Sequence, residues 1–242
     1  MQPPRYIAHR GLSARAPENT LAAIRAAHEA GCRWVELDVQ LLADKTPVIW
    51  HDDTLERCSN GQGLLSAHSR SDIETLDAGS WFDPAFRGEP VALLDQALAL
   101  VRELEMGLNL ELKVGEGRDP QALAEVAVPM ACGALRKEQL IVSSFDQKAL
   151  AAARTLESGV NIGILYQRIP RDWARDAQRL RPLSLHADWR YLDRERLIEI
   201  RRANIAVYAW TVNDPTAFLS WWDHGVTGVF SDDPTLFANA DG

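Results

Sequence analysis

Residues 34–39 read Trp34-Val35-Glu36-Leu37-Asp38-Val39. In an extended chain successive side chains point to opposite faces, so Val35, Leu37 and Val39 share one face and Glu36 and Asp38 the other. The apolar face belongs against other parts of the protein, which argues against a solvated edge strand. Two neighbouring carboxylates on a buried strand repel each other unless a cation or a proton lies between them, and a metal ion is the simplest resolution. The stretch Asn109-Leu110-Glu111-Leu112-Lys113 repeats the pattern. Leu108, Leu110 and Leu112 line one face, as in a barrel strand packed on outer helices, and Asn109, Glu111 and Lys113 share the other.

Around these two stretches, short apolar runs predict further strands over 6–8, 47–50, 140–143, 161–165, 183–186, 205–210 and 226–230. Helical patterns lie between them over 20–30, 94–105, 120–135, 147–157, 172–178, 194–203 and 215–222. Asn19 or Thr20 caps the first helix, and Asp214-Pro215 is an N-cap followed by proline at the first helical position. Gly31, Gly107 and Gly225 stand where helices should stop. Strands alternating with helices imply a mostly parallel sheet. The 47–50 run follows Val39 too closely for a helix between them and reads as a hairpin partner. About eight strands remain, which predicts the α/β class and a closed (β/α)₈ TIM barrel in a single domain over 1–242. No GxGxxG turn follows the first strand, against a dinucleotide fold. Weak periodicity over about 53–92 predicts a small insertion, a cap, between the second strand region and its following helix.

Composition narrows the function. The chain has 242 residues, 46% hydrophobic and 25% charged, an ordinary globular balance. Its net charge of −8 argues against a nucleic-acid partner and gives no attraction to an anionic membrane. Cys32, Cys58 and Cys132 are odd in number without a CxxC spacing, so neither a disulfide framework nor a structural zinc site is indicated. With no apolar leader and no run of membrane-spanning length, the expectation is a cytoplasmic protein without stable membrane association. No feature sets an oligomeric state.

Active sites of such barrels lie at the C-terminal ends of the strands. There the chain places His9 and Arg10 after the first strand, Glu36 and Asp38 on the second, His51 after the hairpin strand, and Glu111 and Lys113 on the next. Carboxylate oxygens without cysteine suit a hard cation, Mg²⁺ or Ca²⁺, rather than zinc. Arginine and lysine beside it suit a phosphate, and two histidines suit a general acid and a general base.

In order along the chain, these motifs resemble the glycerophosphodiester phosphodiesterases. The resemblance rests on His9-Arg10-Gly11, Pro17-Glu18-Asn19-Thr20, Glu36-Leu37-Asp38-Val39 and His51-Asp52-Asp53-Thr54-Leu55-Glu56-Arg57. It continues through Asn109-Leu110-Glu111-Leu112-Lys113, Ser143-Ser144-Phe145-Asp146, Trp210-Thr211-Val212-Asn213 and Ser231-Asp232-Asp233-Pro234. It implies hydrolysis of a small-molecule glycerophosphodiester, such as glycerophosphocholine or glycerophosphoethanolamine, to sn-glycerol 3-phosphate and an alcohol. By the same resemblance Glu36, Asp38 and Glu111 hold one divalent cation, His9 and His51 are the acid–base pair, and Arg10 and Lys113 contact the phosphate. Glu18 supports the site, and Trp210 lines it, its face suited to an ammonium group. The family's usual Ile-Pro-Thr-Leu stretch is replaced here by Pro90-Val91-Ala92-Leu93-Leu94, which is expected to pack the cap on the barrel. Two alternatives stay open: a lysophospholipase D-type phosphodiesterase on the same fold, and a non-catalytic barrel that keeps its metal site.

Overall fold

The computed structural model describes residues 4–238. Eight parallel strands close a barrel: β1 (Tyr6–Ala8), β2 (Trp34–Leu41), β4 (Gly107–Leu112), β5 (Leu140–Ser144), β6 (Ile162–Tyr166), β7 (Ser184–Asp188), β8 (Ala206–Trp210) and β9 (Gly228–Ser231). β1 pairs with both β9 and β2, and that double pairing shuts the sheet on itself. β3 (Pro47–Ile49) is antiparallel to β2, the hairpin partner that the sequence predicts.

Helices α1 (Leu21–Glu29), α3 (Leu94–Glu103), α4 (Pro120–Ala134), α5 (Gln147–Leu156), α6 (Trp173–Leu180), α7 (Arg194–Arg202) and α8 (Pro215–Asp223) form the connections. Their starts are chemically marked. Thr20 accepts the Ala23 N–H at the start of α1, and Asp119, Asp146, Asp193 and Asp214 cap α4, α5, α7 and α8 in the same way. Asn19 is not the cap; its side chain bonds to Asp38 instead.

One expected helix stop is corrected. α3 ends at Glu103, and Glu105, not Gly107, takes the left-handed conformation with φ of 52°. Gly107 opens β4 because Trp34 lies flat against it: a Cβ there would sit 2.2 Å from Trp34 Cε2.

The strands' outer faces, Val35, Leu37 and Val39 of β2 and Leu108, Leu110 and Leu112 of β4 among them, pack with the helices into one large core. Inside the barrel, Ile7, Tyr208 and Phe230 form an apolar plug flanked by Trp34 and Trp210. Between β3 and α3 the chain holds the short α2 (Arg70–Ile73) and its own small core of Leu55, Cys58, Leu65, Ile73 and Ala78. Residues 91–94 alternate between the two: Val91 and Leu93 join the small core, Ala92 and Leu94 the large one.

Candidate active site

β2 and β4 lie in parallel register with Glu36 opposite Asn109 and Asp38 opposite Glu111. Their alternate side chains therefore converge inside the barrel, and neighbouring strands bring them within reach of one another. One oxygen from each of Glu36, Asp38 and Glu111 lies within 4.8 Å of the others, and all three residues are buried. Arg10 follows β1 in a left-handed turn, φ 56°, and its backbone N–H donates to Glu36 Oε2 at 2.9 Å. The Arg10 guanidinium lies 3.4 Å from Asp38 Oδ2, and the Asn19 amide donates to the same oxygen at 2.9 Å. Lys113 Nζ lies 3.3 Å from Glu111 and 3.9 Å from Asp38.

Three carboxylates thus face two cations, and Glu36 Oε1 is buried without a hydrogen-bond partner. Burial pushes the Glu36 carboxyl well above its usual range, and Asp38 and Glu111 push it further. Burial and the Asp38 charge lift Glu111 to about 7. Burial also acts on Asp38, but Arg10, Lys113 and His51 outweigh it and hold this carboxyl below its usual value. A small oxygen-seeking divalent cation fits this donor set, since it would use the orphaned oxygen and cancel the repulsion.

The two histidines stand on opposite flanks, each backed by a carboxylate. His9 Nδ1 donates to Asp232 Oδ1 at 2.8 Å, across the β1–β9 seam. Asp232 also accepts from Ser13 and Asn213, and although burial raises it, these contacts hold it at about 2. His51 Nδ1 donates to Asp52 Oδ1 at 2.6 Å, while Lys113 Nζ donates to His51 Nε2 at 2.8 Å. Burial holds His51 below its usual value. Arg57 reaches in from the β3–α3 segment and bonds both Asp52 and Glu18. Glu18 in turn pairs with Arg10 at 2.6 Å and is not one of the three clustered carboxylates.

His9, Arg10, Glu36, His51, Glu111, Lys113 and Trp210 line one cavity of about 270 Å³, with Phe145 and His186 in the same wall. Phe145 is half-exposed and meets Trp210 edge-on at 5.7 Å. Trp81 and Phe82 are not part of this wall; they meet each other edge-on, as do Phe82 and Phe86. Reading the sequence assigned no role to Asp52, Arg57, Asp232, Asn213 or His186. For Asp52 the signal was adjacency to His51. For Asp232 it was a carboxylate just past the last strand, which in a closed barrel abuts the first.

The profile of the glycerophosphoryl diester phosphodiesterase family matches residues 9–236. The chain belongs to this family. A glycerophosphodiester phosphodiesterase of Caldanaerobacter subterraneus is 32% identical over 96% of both chains. A phosphodiesterase of Oleispira antarctica, solved in complex with the product sn-glycerol-3-phosphate, superposes with a TM-score of 0.94. It is 35% identical, over 99% of this chain and 97% of its own. A glycerophosphodiester phosphodiesterase of Agrobacterium tumefaciens is 27% identical with a TM-score of 0.78, covering 97% of this chain and 99% of its own. Glycerophosphodiester phosphodiesterases are hydrolases, and the fold is their TIM barrel. Among the described residues no helix is long and apolar enough to cross a membrane.

Proposed function

We propose that this glycerophosphodiester phosphodiesterase cleaves small glycerophosphodiesters, such as glycerophosphocholine and glycerophosphoethanolamine, to sn-glycerol 3-phosphate and the alcohol. One domain carries the reaction, with residues about 53–92 as its cap, and it works as a cytoplasmic enzyme. The observation that carries the proposal is the cavity wall itself, where two carboxylate-backed histidines flank Glu36 and Glu111, with Asp38 clustered beside them. The product bound to the Oleispira relative supports the same reading.

Glu36, Asp38 and Glu111 would hold one Mg²⁺ or Ca²⁺, which when bound supplies Lewis-acid stabilisation of charge on the phosphoryl oxygens. Arg10 and Lys113 add fixed positive charge beside the phosphate, aimed by Glu18 and Asp38 and by Glu111. His9 and His51 divide the proton work. One takes the proton of the nucleophile, water or the glycerol 2-hydroxyl, and the other returns a proton to the leaving alcohol. Asp232 and Asp52 fix the tautomer of each ring by accepting from Nδ1, so that Nε2 is the working nitrogen, in His51 once Lys113 leaves it for the phosphate.

The test is release of sn-glycerol 3-phosphate from glycerophosphocholine with EDTA, and with EDTA plus excess Mg²⁺ or Ca²⁺. A lyso-lipid is assayed in parallel. Activity lost to the chelator and restored by the cation, and greater on the water-soluble diester, is the expected result. Hydrolysis unaffected by the chelator, or confined to the lyso-lipid, overturns the proposal. His9→Ala and His51→Ala should each lower turnover by about 10²- to 10⁴-fold.

A further inference from the structure

Residues 168–202 hold ten arginines and no lysine against six acids, in a chain whose net charge is −8. Four of the ten, Arg168, Arg171, Arg190 and Arg196, line a pocket of about 340 Å³ formed by the loops after β6 and β7 and the first turn of α7. Among the described residues, Asp193 is the one acid in that lining, and its Oδ1 accepts the Arg196 N–H as the cap of α7. None of these residues belongs to the acid cluster or to the histidine–carboxylate pairs.

Two of the guanidiniums are anchored and two are not. Arg190 forks onto Asp188, donating at 2.6 Å from Nη2 and 2.9 Å from Nε. Arg196 Nη1 donates to Glu199 at 2.6 Å and to the Arg171 carbonyl at 3.3 Å, which ties α7 to the loop after β6. Arg168 and Arg171 form no ion pair among the described residues. Arg168 lies over the Tyr191 ring, 5.1 Å from its centroid, and Arg190 lies 6.0 Å from the same centroid, so one ring gathers two cations. Like charges set around a hollow repel one another and focus their field on the space between them. Lysine would serve a face that only meets water, whereas the planar guanidinium fork matches pairs of phosphate oxygens. Leu192 and Leu197 add apolar lining beside the forks, which suits the organic part of a ligand.

We propose that Arg168, Arg171, Arg190 and Arg196 form a second anion site, apart from the catalytic cavity, that binds the phosphate group of a small phosphorylated molecule. The pocket opens at the C-terminal end of the barrel strands, as does the active-site cavity, whose wall takes Leu165 from β6 and His186 from β7. The phosphate therefore belongs either to the alcohol half of a diester or to a free phosphomonoester, and the arginines read both by the same chemistry.

The experiment is calorimetric titration with pyrophosphate in EDTA, so that no cation holds the anion at the acid cluster. It compares the wild type with Arg168→Ala/Arg171→Ala, and with Arg201→Ala/Arg202→Ala, which removes the same charge from the far end of α7. The wild type and the α7-end variant should bind one equivalent that Arg168→Ala/Arg171→Ala lacks or binds at least about 10-fold more weakly. Titrations that coincide for the wild type and Arg168→Ala/Arg171→Ala overturn the proposal. So does loss of the same equivalent in the α7-end variant, which would make the attraction one of overall charge. Turnover then locates the source. If the alcohol half carries the phosphate, the glycerophosphodiester of ethylene glycol phosphate should lose at least about 10-fold in kcat/KM in Arg168→Ala/Arg171→Ala, with glycerophosphoethanolamine unaffected. If the ligand is a free phosphomonoester, both diesters keep their kcat/KM while the equivalent is lost. The titration needs no turnover, so it decides the anion site separately from the reaction proposed above.

Discussion

Replacing Asp232 by asparagine should disable His9 without disturbing the barrel. The carboxylate uses both oxygens: Oδ1 accepts from His9 Nδ1 at 2.8 Å and from Ser13, and Oδ2 accepts from the Asn213 amide at 2.6 Å. An asparagine has one oxygen and one NH₂ group. With the oxygen towards His9, two NH₂ groups collide at Asn213. With the NH₂ group towards His9, the ring must turn Nδ1 into an acceptor and carry its proton on Nε2, the opposite tautomer to the one Asp232 fixes. Either arrangement loses a charge-assisted hydrogen bond, worth about 1.5–3 kcal/mol. At about 1.36 kcal/mol per decade that is roughly a 10- to 160-fold fall in kcat.

The assay is product release from glycerophosphoethanolamine at saturating Mg²⁺, with kcat and KM resolved and circular dichroism confirming the fold. Because Asp232 acts through His9, the double variant with His9→Ala should be no slower than His9→Ala alone by more than about 3-fold. A wild-type kcat for Asp232→Asn, or a double variant whose loss is the product of the two single losses, would refute the reasoning.

Two further perturbations read the scaffold. His186 is fully buried and held at about 3, below its unfolded value near 6.5. Its contribution to stability is complete above pH ~6.5 and is lost as pH falls towards 3, up to about 5 kcal/mol. In urea titrations from pH 7 to pH 4, His186→Gln should flatten the slope, and an unchanged slope would exclude this histidine as its source. Gly107→Ala drives a Cβ to 2.2 Å from the Trp34 ring and should cost about 1–3 kcal/mol, seen as a lower melting temperature. A melting curve that coincides with wild type would show that Trp34 yields freely.

The strands were the legible part of this fold because alternation survives wherever one face meets helices and the other the barrel interior. Glu36, Asp38 and Glu111 could be found because acidic residues break an otherwise apolar alternation. Gly107 was misread as a helix stop, since a glycine needed for close approach and one needed for a left-handed turn look alike in sequence. The region of about 53–92 was hard to read because its buried residues, Leu55, Cys58, Leu65, Ile73 and Ala78, follow neither period. Asp232 lies 223 residues from His9, and only closure of the barrel makes them neighbours. Arg57 was invisible for a related reason: its partners Glu18 and Asp52 are 39 and 5 residues away, on different elements.

The burial of Glu36, Asp38 and Glu111 explains why the carboxylate cluster is costly and what should relieve it. Three carboxyl groups withdrawn from solvent repel one another with little screening. A cation that binds only the folded form adds RT ln(1 + [L]/Kd), about 2.7 kcal/mol at 100 times Kd. For a chain of this size that corresponds to a rise in melting temperature of roughly 5–11 °C. Glu111→Gln removes one charge from the cluster, so without cation it should melt at or above the wild-type temperature. It should also lose most of the rise on adding Mg²⁺, because a neutral amide is a weaker ligand. The two effects have opposite signs and one cause. If Glu111→Gln were clearly less stable than wild type in EDTA, the cluster would be a stabilising network in its own right, and the argument from crowded charge to a bound cation would fail.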